Sequence, residues 1–125
     1  MNLRELKFTR THEWVRLEGK EAVIGITDHA QAELGDITFV DLAKPGKKVK
    51  QNDSISTIES VKAASDVYSP VSGEVLSVND DLNDAPEKIN SSPYADGWIC
   101  RLAVSNPAEI KELMDKAGYE AFLKG

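Results

Sequence analysis

From residue 13 to residue 78 the apolar positions recur mostly at every second residue, the period of strands with one face in a core. Trp14-Val15-Arg16-Leu17 and Ala22-Val23-Ile24-Gly25-Ile26 predict two strands joined at Glu18-Gly19-Lys20. Asp28 to Gly35 breaks the alternation. Asp28 is placed to accept from the backbone of Gln31, and Gly35 to take a left-handed closing position, so a helix of one or two turns is predicted there. Ile37–Leu42 resumes as a strand, and Lys44-Pro45-Gly46-Lys47 carries Pro and Gly where a type II turn wants them. Ser54–Ser60 is rich in β-branched residues, and after Val61-Lys62-Ala63 the stretch Ala64–Val67 returns as its partner. Ser69–Gly73 reads as a turn, Glu74–Val78 and Ile99–Val104 as strands, and Pro93–Trp98 as a turn. The stretch Asn79–Ser92 is loop-like, with Asp84 capping a single helical turn through Glu87.

The period changes at the carboxyl end. Asn106-Pro107-Ala108-Glu109 supplies a cap, a first-turn proline and an early acid. Ile110, Leu113, Met114 and Ala117 then share one helical face, which predicts a helix over about 107–117 ended by Gly118. Tyr119, Phe122 and Leu123 form a second short apolar face. The prediction is one mainly β domain over 1–125 with short helices and a terminal helix.

Composition narrows the function. A formal charge of −6 disfavours phosphate backbones, and no apolar run approaches the ~18 residues of a membrane span, so neither nucleic acid nor membrane is an expected partner. The single cysteine, Cys100, forbids an internal disulfide and reads as a small strand residue. MNLRELKF lacks a long apolar signal core and an Arg/Ser-rich transit pattern, which predicts a cytoplasmic protein.

Familiar catalytic constellations are missing. The glycines stand singly at turns, with no phosphate loop, no G-x-S-x-G and no H-E-x-x-H. His12 and Glu13 are adjacent, and neighbours on a strand point to opposite faces, so they do not form a metal pair. His29 reads as a solvated or capping residue and Asp80-Asp81 as a solvated loop pair. No metal and no catalytic residue is assigned. Lys62 remains, at a break too short for a long loop. A hairpin there holds its amine at an apex, reachable by a modifying enzyme, from which an attached group can swing clear. A surface lysine in a turn is commonplace, and spacing alone does not single it out.

The surrounding residues do. Glu59-Ser60-Val61-Lys62-Ala63-Ala64-Ser65-Asp66, followed by Ser69-Pro70-Val71-Ser72-Gly73-Glu74-Val75, closely resembles the lipoylation site of the glycine cleavage system H protein family. His12-Glu13-Trp14, Gly25–Gln31, Leu34-Gly35-Asp36, Phe39–Leu42, Ile89–Tyr94 and Gly97-Trp98 resemble that family's further blocks, in order. The resemblance implies a barrel-sandwich hybrid of the lipoyl/biotinyl-carrier kind, with lipoate joined covalently to Lys62. It implies a non-catalytic carrier of the aminomethyl intermediate in glycine catabolism and one-carbon metabolism. The implied partners are glycine decarboxylase with pyridoxal phosphate, a tetrahydrofolate-dependent aminomethyltransferase, dihydrolipoyl dehydrogenase and a lipoate-attaching enzyme.

Family members fold the loaded arm into a cleft, and a cationic amine wants carboxylates there. The resemblance nominates Glu13 and Asp66 for that contact, with Thr11 as a hydrogen-bonding wall. Relatives vary at the position of Glu33, so no cleft role is assigned to it. A lipoyl domain of a 2-oxoacid dehydrogenase usually shows Asp before its lysine, and a biotin carrier flanks it with methionines. Val61 and Ala63 fit neither. A lipoyl donor relaying lipoate to other complexes needs the same lysine and fold and stays open as the alternative.

Overall fold

The computed structural model describes residues 5–125; residues 1–4, the start of the segment read for targeting character, lie outside the described residues. In chain order the strands are β1 (Leu6–Phe8), β2 (Glu13–Glu18), β3 (Glu21–Ile26), β4 (Ile37–Leu42), β5 (Lys48–Val49), β6 (Ser54–Ser60), β7 (Ala64–Tyr68), β8 (Gly73–Val78) and β9 (Cys100–Val104). One antiparallel sheet has the order β1-β2-β3-β9-β8-β5 and the other β4-β6-β7. The helices are α1 (Asp28–Leu34), α2 (Asp81–Asp84), α3 (Lys88–Ser91) and α4 (Lys116–Lys124). This is the two-sheet, mainly β architecture with short helices and a terminal helix that the sequence predicts.

Val15, Ile24 and Leu102 from the larger sheet meet Val40, Ile58 and Val67 from the smaller one in the main core. A second cluster, Leu6, Phe8, Trp14, Val23 and Tyr119, lies under α4. The first half of β2 and nearly all of β3 are therefore covered on both faces, which is why Trp14 and Val15 are both fully buried. The Trp14 indole lies over Gly25, its cross-strand partner, and donates from Nε1 to the Pro93 carbonyl at 3.0 Å. A methyl group on Gly25 would sit 2.6 Å from the indole ring.

Three helical expectations need correction. The segment 107–117 is not one helix. Pro107–Glu112 forms a 3-10 helix, Leu113 is extended, and Met114 forms a β-bridge with Phe8. Two backbone bonds, Phe8 N–H to Met114 at 2.7 Å and Met114 N–H to Phe8 at 2.9 Å, cover an edge strand that would otherwise be open, and helix continuity is given up for them. Glu109 is meanwhile turned onto Ser72, accepting from its backbone N–H and its hydroxyl. A new helix then starts at Asp115, whose carboxylate accepts from Gly118 N–H at 2.8 Å, so Gly118 lies inside α4 and does not end a helix.

At α1 the cap is Thr27, which accepts from Ala30 N–H, while Asp28 accepts from the Gln31 side chain. Gly35 closes that helix with φ 77°. Asp84 ends α2 instead of capping a following turn. The remaining strands and turns lie where the alternation puts them, with β1 and β5 added.

Gly25→Ala should lower unfolding free energy by about 1–3 kcal/mol, the usual cost of overpacking. Its backbone is not left-handed, so no backbone strain adds to the loss, and the stiffer unfolded chain offsets only part of it. Chemical denaturation checks this, and an unchanged midpoint would mean the indole can move aside.

Candidate functional site

Lys62 sits in the three-residue connection between β6 and β7, exposed to solvent as are Val61 and Ala63. The main chain there is pinned while the side chain is not. Ser60 N–H donates to the Ala63 carbonyl at 2.8 Å, and the Ser60 hydroxyl accepts from Lys62 N–H and Ala63 N–H at 3.2 Å each. A serine hydroxyl bonding forward into its own turn is a local motif that helps fix the tip. Val61 N–H donates to the Asp36 carbonyl at 3.0 Å, tying the tip to the α1–β4 connection.

That connection is held in turn by Asn90 on α3. Its amide donates to the Gly35 carbonyl and to Gln31, at 2.9 Å each, and its oxygen accepts from Ile37 N–H at 2.9 Å. The Lys62 stem lies against Gly35: a methyl on that glycine would be 3.4 Å from Cε. Among the described residues no carboxylate lies within ion-pair distance of the Lys62 amine.

The nominated cleft residues fall into two places. Thr11 and Glu13 are joined: Glu13 Oε1 accepts from Thr11 at 2.5 Å and from Thr9 at 2.6 Å, and Oε2 accepts from Tyr68 N–H at 3.2 Å. Glu13 is 1% exposed, and burial pushes its carboxyl above the ordinary carboxylate range against these hydrogen bonds. Thr11 is exposed and lines a groove of about 390 Å³ with Phe8, Gln51, Pro70 and Met114. Asp66 is exposed on β7, where it accepts from Thr57 at 3.1 Å; among the described residues no hydrogen bond joins it to Glu13.

His29 pairs with Glu33 at 2.7 Å, and its ring lies 4.5 Å from that of His12. Among the described residues no three His, Cys, Asp or Glu side chains are grouped to hold a metal ion. Cys100 is buried, and burial pushes its thiol up to about 12, so it stays protonated.

A sequence profile of the Glycine cleavage H-protein family matches residues 6–125. The chain belongs to that family. Among similar proteins, the glycine cleavage system H protein of Phenylobacterium zucineum is 52% identical over 118 residues, 94% of this chain and 98% of that protein. That of Symbiobacterium thermophilum is 49% identical over 120 residues, covering 96% and 94%. The crystal structure of a glycine cleavage system H protein from Mycobacterium marinum superposes with a TM-score of 0.89 at 30% identity, covering 98% of each chain. The H-protein likeness thus spans sequence and fold together, and the barrel-sandwich expectation holds.

Ser60, Gly35, Asp36 and Asn90 were not singled out for the tip by sequence reasoning. Ser60 had a local signal, a serine just before a turn. Asn90, some 28 residues from Lys62, had none.

Two outcomes follow from this geometry. Ser60→Ala should speed amide exchange at Lys62 and Ala63 by roughly three- to tenfold, the loss of one modest hydrogen bond, with little change in global stability. Site-resolved hydrogen exchange reads this directly. For Glu13, the folded carboxyl binds its proton more tightly than the unfolded one, so its contribution is full below about pH 4.5 and falls as pH rises through the folded value. The stability of the native chain relative to Glu13→Gln should therefore decline on raising pH from 4.5 toward neutrality; a pH-independent difference would contradict the burial effect.

Proposed function

We propose that this chain is the lipoyl carrier of a glycine cleavage system, with Lys62 as the attachment residue. The observation that carries the reading is an exposed, unpaired lysine amine on a main chain pinned from both sides, within a full-length family match. Amide formation removes the amine's charge. Because no ion pair of Lys62 is lost, the fold bears little cost from that change. An exposed amine at a fixed tip also suits capture by a lipoate-attaching enzyme.

Bound at Lys62, lipoate supplies a disulfide that partner enzymes open and reclose. The chain's own share is mechanical and electrostatic. It presents the tip, keeps the arm tethered at high effective concentration, and offers partners a fixed surface. In this reading the aminomethyl cargo is taken from glycine decarboxylase to the tetrahydrofolate-dependent aminomethyltransferase, and the dithiol is then reoxidised by dihydrolipoyl dehydrogenase. Pyridoxal phosphate, folate and flavin chemistry stay with those partners. A non-catalytic role agrees with the buried, protonated Cys100 thiol.

The arm's resting place in this reading lies beside Glu13 and Thr11, where a buried carboxyl without a cation favours an arriving ammonium. Asp66, exposed beside Thr57 on the hairpin that carries Lys62, meets the arm nearer its root.

The test is intact mass and peptide mapping after expression with lipoate and an active ligase. One lipoyl increment on the Lys62 peptide is expected. Lys62→Arg should fold with an unchanged melting temperature yet take up no lipoate and support no glycine cleavage in the reconstituted system. Turnover by Lys62→Arg equal to that of the native chain would overturn the assignment.

A further inference from the structure

Tyr119 and Phe122 lie on the second short apolar face at the carboxyl end. Their surroundings show more. Tyr119 stacks on Phe8, ring centroids 4.7 Å apart and planes 9° from parallel, and is 5% exposed. Its hydroxyl lies 2.7 Å from His12 Nδ1 and 2.8 Å from the Thr27 hydroxyl. His12 is held in the left-handed region at φ 71°, where a non-glycine residue needs outside support. Its carbonyl accepts from Thr27 N–H at 3.0 Å, and its N–H donates to Thr9 at 3.2 Å. The next residue is Glu13.

Proton counting gives these bonds a direction. Thr27 is 0% exposed and its oxygen already accepts from Ala30 N–H, so its single proton has the Tyr119 oxygen as its partner. Tyr119 then donates to His12 Nδ1, which requires a neutral imidazole carrying its proton on Nε2. Reversing the order would leave the buried Thr27 proton without an acceptor.

We propose that His12 and Tyr119 are positioning residues: through this relay, helix α4 sets the conformation of the Thr9–Glu13 turn and so holds the Glu13 carboxyl against Tyr68 and Thr11 for the arm. The proposal rests on the reading of Glu13 and Thr11 as the arm's resting place. It gives α4 a task beyond covering the edge of β1: the Tyr119 hydroxyl bonded to His12 links the helix to the turn by a directional hydrogen bond, beside the ring contacts of Tyr119 with Phe8 and of Phe122 with His12.

The relay is sensitive to pH. The groups facing His12 are His29 and Glu33 on α1, Tyr119 on α4, and Glu13 next to it in the chain; Asp28, Tyr94, Lys116 and Glu120 line the adjoining groove with His29 and Tyr119. Burial first, and His29 second, hold His12 below the ordinary histidine value, while Glu33 works the other way. The unfolded chain therefore takes up the proton first. The relay's contribution is full above about pH 6.5 and is lost as pH falls below it toward the folded value. A protonated Nδ1 donates toward Tyr119, and one of the two buried hydroxyl protons, that of Tyr119 or that of Thr27, is then left without its acceptor.

The test begins with the protein lacking lipoate. In the native chain, ¹⁵N NMR should show His12 as the Nε2–H tautomer at pH 7.5. Tyr119→Phe keeps the ring stack but removes the relay, and should raise amide exchange at Glu13 and Tyr68 roughly three- to tenfold. His12→Asn places an acceptor near the Nδ1 position and tolerates φ above zero, but does not titrate. It should retain native protection at pH 7.5 and lose the extra exchange that the native chain gains between pH 6.5 and 5, after correction for intrinsic rates. On lipoylated protein carrying the aminomethyl cargo, cargo lifetime should follow the same order: native and His12→Asn together, Tyr119→Phe shorter. Unchanged exchange in Tyr119→Phe, or a native pH profile in His12→Asn, overturns the relay. Faster exchange with an unchanged cargo lifetime keeps the relay's hold on the turn and overturns Glu13 as the arm's resting place.

Discussion

One backbone hydrogen bond, from Val61 N–H to the Asp36 carbonyl, fixes where the hairpin tip that carries Lys62 stands. A two-stranded tip projecting from a sheet is free to bend unless something outside the hairpin holds it. Here the outside support is the α1–β4 connection, and it is itself braced by Asn90, which spends its amide and its oxygen on Gln31, Gly35 and Ile37. Gly35 lets the chain turn at φ 77° and leaves room for the Lys62 stem. The result is a main chain held from outside the hairpin under an exposed side chain.

The second constraint is that β2 and β3 are covered on both faces. One face closes the core against the smaller sheet, and the other is roofed by Trp14, Phe8 and Tyr119 under α4. That double burial is why the turn leading into β2 can hold a carboxyl at 1% exposure. Among the described residues Glu13 has no ion pair, and three donors from Thr9, Thr11 and Tyr68 stand in for water.

Much of this was legible in the sequence, because strand alternation and turn residues are local. The β2–β3 hairpin, the Pro45-Gly46 turn and the β6–β7 pair with Lys62 between them all follow from periods and turn chemistry read within a few residues. The carboxyl end was misread for the opposite reason. Ile110, Leu113, Met114 and Ala117 have helical spacing, but Met114 is claimed by Phe8, over a hundred residues away, and a period cannot report that claim. The site divides the same way. Lys62 and Ser60 are local; the joining of Glu13 to Tyr68, of Asn90 to Gly35 and of Tyr119 to His12 spans 55, 55 and 107 residues. Asp66 was nominated beside Glu13 by resemblance, and the strand register adds its cross-strand partner, Thr57.

The raised Glu13 carboxyl and the exposed Lys62 amine are two halves of one electrostatic arrangement. A charge buried without a cation is costly, so burial raises the Glu13 carboxyl while hydrogen bonds from its own chain oppose that rise. A cation arriving there lowers the cost of ionisation, and linkage then requires that its binding release a proton in the range where Glu13 would otherwise hold one. At Lys62 the balance runs the other way: the amine meets water and no carboxylate, so converting it to an amide breaks nothing in the fold. The chain thus has an exposed amine whose charge no ion pair among the described residues depends on, and a buried acid held by hydrogen bonds alone. Between the two stand the Gly35–Asp36 connection and the Thr9–Glu13 turn, both held by bonds from distant parts of the chain.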